Sequence, residues 1–309
     1  MDRRSELLGL DGLVTAPLSR RGFVMTTLIS GYTLAATRAD AQAITTDPTG
    51  LEAGEVKIPT TGGDMPGYRA MPQGSGPFPT VIVIEEIFGV HEYIKDTCRR
   101  LAKLGYCAVA PELYARQGDL TKMTDIQAIV RDVISKKPDA ELLADLDAAA
   151  KWAVSSSKGD GAKLAVTGFC RGGRATWLYA AHNPSLKAAV AWYGPVGGAK
   201  SDIQPRTAGE VAAELKCPLL GLYGAADTGI PVADVEKARR REGRWQDRRA
   251  RRLPGHAARL PCRLPAELPA GGREGWLGSD AGLVQVERRG LTRARPAERV
   301  QWQIQCMPS

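Results

Sequence analysis

The chain has 309 residues, 43% hydrophobic and 25% charged, with a net charge of +8. That is the composition of an ordinary globular protein, with room for one large α/β domain. The positive charge does not point to nucleic acid. From Arg239 onward there are 16 arginines, 7 acidic residues and no lysine, so the preceding body is close to neutral. The basic tail also lacks interleaved aromatic residues and helical periodicity, so no nucleic-acid partner is expected.

The N-terminus reads Ser19-Arg20-Arg21-Gly22-Phe23-Val24-Met25, then a mildly apolar stretch to Ala36, then Ala41-Gln42-Ala43. Paired arginines, a short apolar segment and an A-x-A site are similar to a twin-arginine export signal. We therefore expect residues 1–43 to be a cleaved leader and the product to be periplasmic. The apolar stretch is too short and too interrupted to be a membrane span, and no other segment qualifies.

Residues 51–69 read as strand-and-turn material broken by Gly62-Gly63 and Pro66-Gly67. Thr80-Val81-Ile82-Val83-Ile84 is short, apolar and β-branched, as a central parallel strand should be. It ends in Glu85-Glu86-Ile87-Phe88-Gly89. The spacing predicts a helix over 91–104, a strand over 106–110, and a loop with a short helix over 117–137. An amphipathic helix over 140–154 follows.

Next comes Val166-Thr167-Gly168-Phe169-Cys170-Arg171-Gly172-Gly173. An apolar strand over 163–167 runs into a glycine-flanked turn, and a helix over 174–182 follows at once. This is the layout of a nucleophile elbow with cysteine in the reactive place. The helix N-terminus is aimed at the sulfur, which favours thiolate. Strands are predicted over 188–193 and 218–223. Strands alternating with helices give a doubly wound, mostly parallel sheet. Asp227 lies in the loop after the last of these strands, where an acid can orient a histidine or cap the next helix.

The other cysteines are Cys98, Cys107, Cys217, Cys262 and Cys306. None forms a C-x-x-C pair or a zinc-type spacing, so neither a metal site nor a disulfide framework is expected. No cofactor is expected either. Cys98, Cys107 and Cys217 read as buried thiols.

Five pieces together resemble the dienelactone hydrolase family of α/β-hydrolases. They are Glu85-Glu86-Ile87-Phe88-Gly89, Pro111-Glu112-Leu113-Tyr114-Ala115-Arg116, Gly168-Phe169-Cys170-Arg171-Gly172-Gly173, Trp192-Tyr193-Gly194, and residues 224–231. The resemblance covers about residues 50–237 and implies a Cys–His–Asp triad acting on lactones or activated esters. It makes Cys170 the nucleophile and Asp227 the orienting acid. Glu86 would contact the resting thiol and help to deprotonate it. Arg116 would bind a substrate carboxylate, and the backbone N–H groups of Ile87 and Arg171 would form the oxyanion hole. The side chain of Arg171 departs from the apolar or aromatic residue expected there.

The required histidine should follow one more strand, about thirty residues past Asp227, by that resemblance. The chain offers His91, His182 and His256. Only His256 is in range, and its surroundings, residues 251–259, show no strand pattern. From about Arg240 the text turns to Arg, Pro and Gly and loses periodicity. Residues 251–277 can be back-translated so that the shifted frame includes a strand followed by Pro-His-Ala-Phe. The shifted histidine codon would straddle Ala258 and Arg259. A reading-frame change therefore explains the tail better than ordinary disorder.

The expected organisation is a leader (1–43), an α/β-hydrolase domain lacking its last strand and helix (44–238), and an irregular, out-of-frame tail (239–309). The expected function is a monomeric hydrolase of small lactones or esters, impaired by loss of the catalytic histidine. The rival reading is a non-catalytic small-molecule-binding protein that kept the pocket.

Overall fold

The computed structural model describes residues 45–224, 227 and 229–241, and the backbone of four short strands beyond them. The leader reading at 1–43 and His256 lie outside the described residues. The chain opens with a hairpin of β1 (Leu51–Thr60) and β2 (Gly63–Pro72), paired antiparallel. Then β3 (Phe78–Ile84) leads to helix α1 (Glu92–Lys103), β4 (Cys107–Pro111), and helical turns over 120–136. Helix α2 (Asp139–Ser156), β5 (Gly159–Phe169), α3 (Arg171–His182) and β6 (Leu186–Trp192) follow. The short α4 (Ala208–Val211), β7 (Leu219–Gly224) and α5 (Val232–Arg241) complete the run.

The sheet order is β1-β2-β4-β3-β5-β6-β7-β8, where β8 is Arg251–Leu253. The pairs from β4 through β3, β5, β6 and β7 to β8 are all parallel. This confirms the doubly wound, mostly parallel sheet read from the alternation of strands and helices, and the α/β-hydrolase fold that the resemblance implied. The strand β3 shows why the sheet is covered on both faces. Its side chains alternate sides, and all of Val81, Ile82, Val83 and Ile84 are buried. Val81 and Val83 belong to the core with Ile94, Cys98 and Leu101 of α1. Ile82 and Ile84 belong to the core with Leu146 and Ala149 of α2 and Leu178 of α3. Cys98, Cys107 and Cys217 are buried, as expected.

The tail departs from expectation. A last strand was expected to be missing, yet β8 pairs parallel with β7 at Leu222–Gly224. Three further strands form a separate antiparallel sheet: β9 (Gly275–Ser279), β10 (Gly282–Arg288) and β11 (Trp302–Cys306). The stretch Val284-Gln285-Val286-Glu287 alternates apolar and polar residues. That period-two signal is overlooked when the tail is judged by its Arg, Pro and Gly content.

The parallel register carries the carboxyl ends of β3, β5, β6 and β7 to one edge. Ligands of open α/β sheets bind at that edge. Glu86, Cys170, Tyr193 and Asp227 all follow the ends of these strands. The corner between β5 and α3 is packed so closely that Gly172 has no room for a side chain. A Cβ there would stand 2.6 Å from the Ile84 carbonyl oxygen, which is backbone and cannot yield. Gly172→Ala should lower the unfolding free energy by about 1–3 kcal/mol. Urea titration checks this, and a variant as stable as the parent would refute the close approach.

Candidate active site

Cys170 is the N-cap of α3, with φ 51° and ψ −115°. A non-glycine residue in that region is strained and persists only where its surroundings fix it. Two backbone bonds do so: the Cys170 N–H donates to the Trp192 carbonyl (3.0 Å), and its carbonyl accepts from the Arg174 N–H (3.2 Å). The residue is half-buried, unlike Cys98, Cys107 and Cys217. At the first helical position, the Arg171 N–H has no carbonyl within its own helix to bond. It points the same way as the positive end of the helix dipole.

Glu86 lies in the loop after β3 and is buried. One carboxylate oxygen, Oε1, accepts from the Tyr193 hydroxyl at 2.9 Å. The other, Oε2, sits 2.9 Å from His91 Nε2. Tyr193 follows β6 in a left-handed conformation, with φ 38°. Burial first, and then the charges of Glu86, Tyr93 and Cys170, push its phenol well above the usual range. Tyr193 is therefore a stable O–H donor, in electrostatic reach of both the Glu86 carboxylate and the Cys170 sulfur. Phe169, just before Cys170, is stacked on Trp192 (centroids 5.7 Å) and edge-on to Tyr93 (5.7 Å). An aromatic wall thus backs the corner.

The neighbouring Glu85 behaves differently. It is 1% exposed, and its Oε1 accepts from the Leu113 N–H at 2.7 Å. Its second oxygen has no hydrogen-bond partner among the described residues. Burial, and then the Glu112 charge, push this carboxyl well above the ordinary carboxylate range. Ile87, the other expected oxyanion donor, is buried two residues further on. The contact of Gly172 with Ile84 and Glu85 brings the start of this loop against the first turn of α3.

Asp227 lies just past β7, half-buried. Its Oδ1 accepts from the Gly229 N–H at 2.8 Å, which forms a local turn rather than a cap on α5. It stands on the same edge as Cys170, two strands away in the order β5-β6-β7.

Arg116 is placed differently from expectation. Its Nε donates to Glu141 Oε1 (2.8 Å), Nη1 to Thr60 Oγ1 (3.1 Å) and Nη2 to Asp145 Oδ2 (2.5 Å). The planar fork expected to take a substrate carboxylate is engaged by carboxylates of α2 instead. The physical reason is Lys137, which is fully buried and bonded to the same Asp145 and Glu141. Two cations facing two anions neutralise a site that burial would otherwise penalise. Burial acts to raise the Glu141 carboxyl, but bonds from Lys137 and Arg116 outweigh it and hold it at about 2.

The side chain of Arg171 donates to Gln204 Oε1 at 2.6 Å and reaches the Tyr114 hydroxyl. Gln204 in turn donates to the carbonyls of Ile134 and Lys137. His182 lies at the far end of α3, paired with Asp147 Oδ2 at 2.7 Å. Among the described residues, no three His, Cys, Asp or Glu side chains gather as a metal site would require. No described helix is long and apolar enough to cross a membrane. The sequence reading gave no role to Tyr193 or to His91 beside Glu86. The signal for Tyr193 was present in the Trp192-Tyr193-Gly194 motif, and His91 stands five residues after Glu86.

The raised Glu85 carboxyl has a consequence for stability. In the window between the ordinary carboxylate range and the raised native value, the unfolded chain has released the proton and the native chain has kept it. Stability therefore falls as pH rises through that window. Glu85→Gln should flatten this decline, as urea midpoints across pH would show. Superimposable profiles for parent and variant would refute it.

Comparison with known proteins agrees with this geometry. The model of the dienelactone hydrolase family matches residues 65–244. A Methylorubrum extorquens relative named "Putative carboxymethylenebutenolidase" is 54% identical over 263 residues, covering 84% of this chain and 90% of the relative. A relative of the same name from Escherichia coli K12 is 51% identical over 215 residues, covering 69% of this chain and 79% of its own. A crystal structure from Klebsiella pneumoniae, named "Putative Dienelactone Hydrolase", is 53% identical with a TM-score of 0.61. That match covers 63% of this chain and 82% of the other. A cysteine held in strain at a strand–helix corner, a glutamate gripped beside it and this breadth of similarity agree, and the chain belongs to the dienelactone hydrolase family.

Proposed function

We propose that the protein is a hydrolase of small lactones or activated esters and that Cys170 is its nucleophile. The observation that carries this reading is the left-handed backbone of Cys170 at the N-terminus of α3. Few surroundings would enforce such strain on a residue that only filled space. The names of the relatives support the substrate class.

In this reading the Cys170 thiolate attacks the carbonyl carbon, and an S–C bond forms. Negative charge passes to the carbonyl oxygen, where the N–H groups of Ile87 and Arg171 receive it. Collapse of this intermediate breaks the ring C–O bond and leaves a thioester with a freed alkoxide or enolate oxygen, which takes a proton. Water then attacks the thioester, releasing the new carboxylate and restoring the sulfur. Asp227 orients the histidine that moves these protons, following the pattern of the family resemblance.

The histidine is the weak point of this chain. His256 lies outside the described residues. We read the tail as out of frame from about Arg240, which removes the catalytic histidine and impairs turnover. The family match ends at residue 244, next to the change in composition; the match to the Methylorubrum extorquens relative, at 84% of the chain, runs further. Residues 1–43 are read as an export leader that delivers the protein to the periplasm.

The test compares the chain as written, a frame-restored chain and the restored chain carrying Cys170→Ala, using hydrolysis of a small lactone. Restoration should raise kcat by about a hundredfold or more, the usual contribution of a positioned acid–base group. Cys170→Ala should then lower it by at least about a thousandfold. Unchanged turnover in Cys170→Ala would remove the nucleophile assignment. An unbroken frame in the DNA around codons 239–244, relative to close relatives, would remove the frame reading. Labelling of Cys170 without turnover in the restored chain would favour a binding protein.

A further inference from the structure

His91 occupies the N-cap of α1, yet its side chain makes no capping hydrogen bond. Serine, threonine, aspartate or asparagine is the usual residue there, because its side chain bonds the exposed N–H groups. The imidazole is turned away from that task and onto Glu86. A carboxylate can only accept, so Nε2 carries the proton and donates it. The ring is 30% exposed, while the Glu86 side chain is 11% exposed. Glu86 thus meets a donor on each oxygen, Tyr193 on the inner side and His91 towards solvent. Two donors on separate oxygens fix both the direction and the plane of a carboxylate, whereas one donor would leave it free to rotate.

We propose that His91 is a positioning residue for the nucleophile: its bond to Glu86 Oε2 holds the carboxylate in the orientation from which it acts on Cys170. The link between them is spatial. Tyr193 hydrogen-bonds Glu86, and the carbonyl of the adjacent Trp192 accepts from the Cys170 N–H at 3.0 Å, so the carboxylate and the cysteine meet at the end of β6. His91 acts through the carboxylate. Its effect is on how readily the thiol gives up its proton, and it is felt before any substrate ring opens. This inference deepens the reading of Cys170 as nucleophile and rests on it.

The test uses the full chain and a readout that does not require the missing histidine. The rate of alkylation of Cys170 by iodoacetamide near neutral pH is followed on the Cys170 peptide by mass spectrometry. His91→Leu removes the donor and should slow labelling about tenfold, the expected size for losing a hydrogen bond to a charged group. His91→Gln keeps an N–H donor on a side chain of similar reach and should recover most of that loss. Melting temperatures show whether either variant has merely loosened α1; if His91→Leu melts early, the comparison of His91→Gln with the parent carries the test. Parent-like labelling in His91→Leu overturns the proposal. So does labelling in His91→Gln as slow as in His91→Leu, with both folded. If Cys170→Ala leaves turnover intact in the frame-restored chain, the nucleophile reading fails first, which the His91 variants alone would not show.

Discussion

The structure turns on the corner between β5 and α3. A strand must stop, reverse its direction and begin a helix within one residue, and that residue must carry a side chain. The cost is a left-handed backbone at Cys170. It is met by packing: the first turn of α3 lies directly against the carbonyls that end β3, where only glycine fits. The same contact that fixes the cysteine also fixes the loop carrying Glu85, Glu86 and Ile87. Cys170, Glu86 and Ile87 are thus positioned by one close approach of two backbones.

Two adjacent carboxyls illustrate how environment assigns chemistry. Glu85 points into the interior, meets the Leu113 N–H, and has its carboxyl pushed well above the ordinary range by burial. Glu86 is a residue further on, turned to the sheet edge, with donors from Tyr193 and His91. Neither role is written in the residue type. Each follows from which side of the chain the side chain leaves and what it finds there.

This explains what the sequence could and could not reveal. The run from Thr80 to Ile84 announced a buried parallel strand because its apolar, β-branched residues have no other satisfactory place. The glycines around Cys170 announced the elbow because their spacing serves a tight turn. Arg116 was read from a motif alone, and its partners lie 25 and 29 residues away on α2, where periodicity records a helix but not the direction of each charge. The gathering of Tyr193, His91 and Glu86 depends on the ends of different strands meeting, a product of topology that no local window contains.

The sheet is guarded unequally at its two flanks. On one side the β1–β2 hairpin pairs over ten residues in each strand. On the other, β8 pairs with β7 over only Leu222, Tyr223 and Gly224. Local opening follows the weaker flank, and that flank carries Asp227. Under gentle heating or denaturant the protein should therefore pass through a form with the Cys170 corner and Glu86 still assembled but the Asp227 loop already adrift.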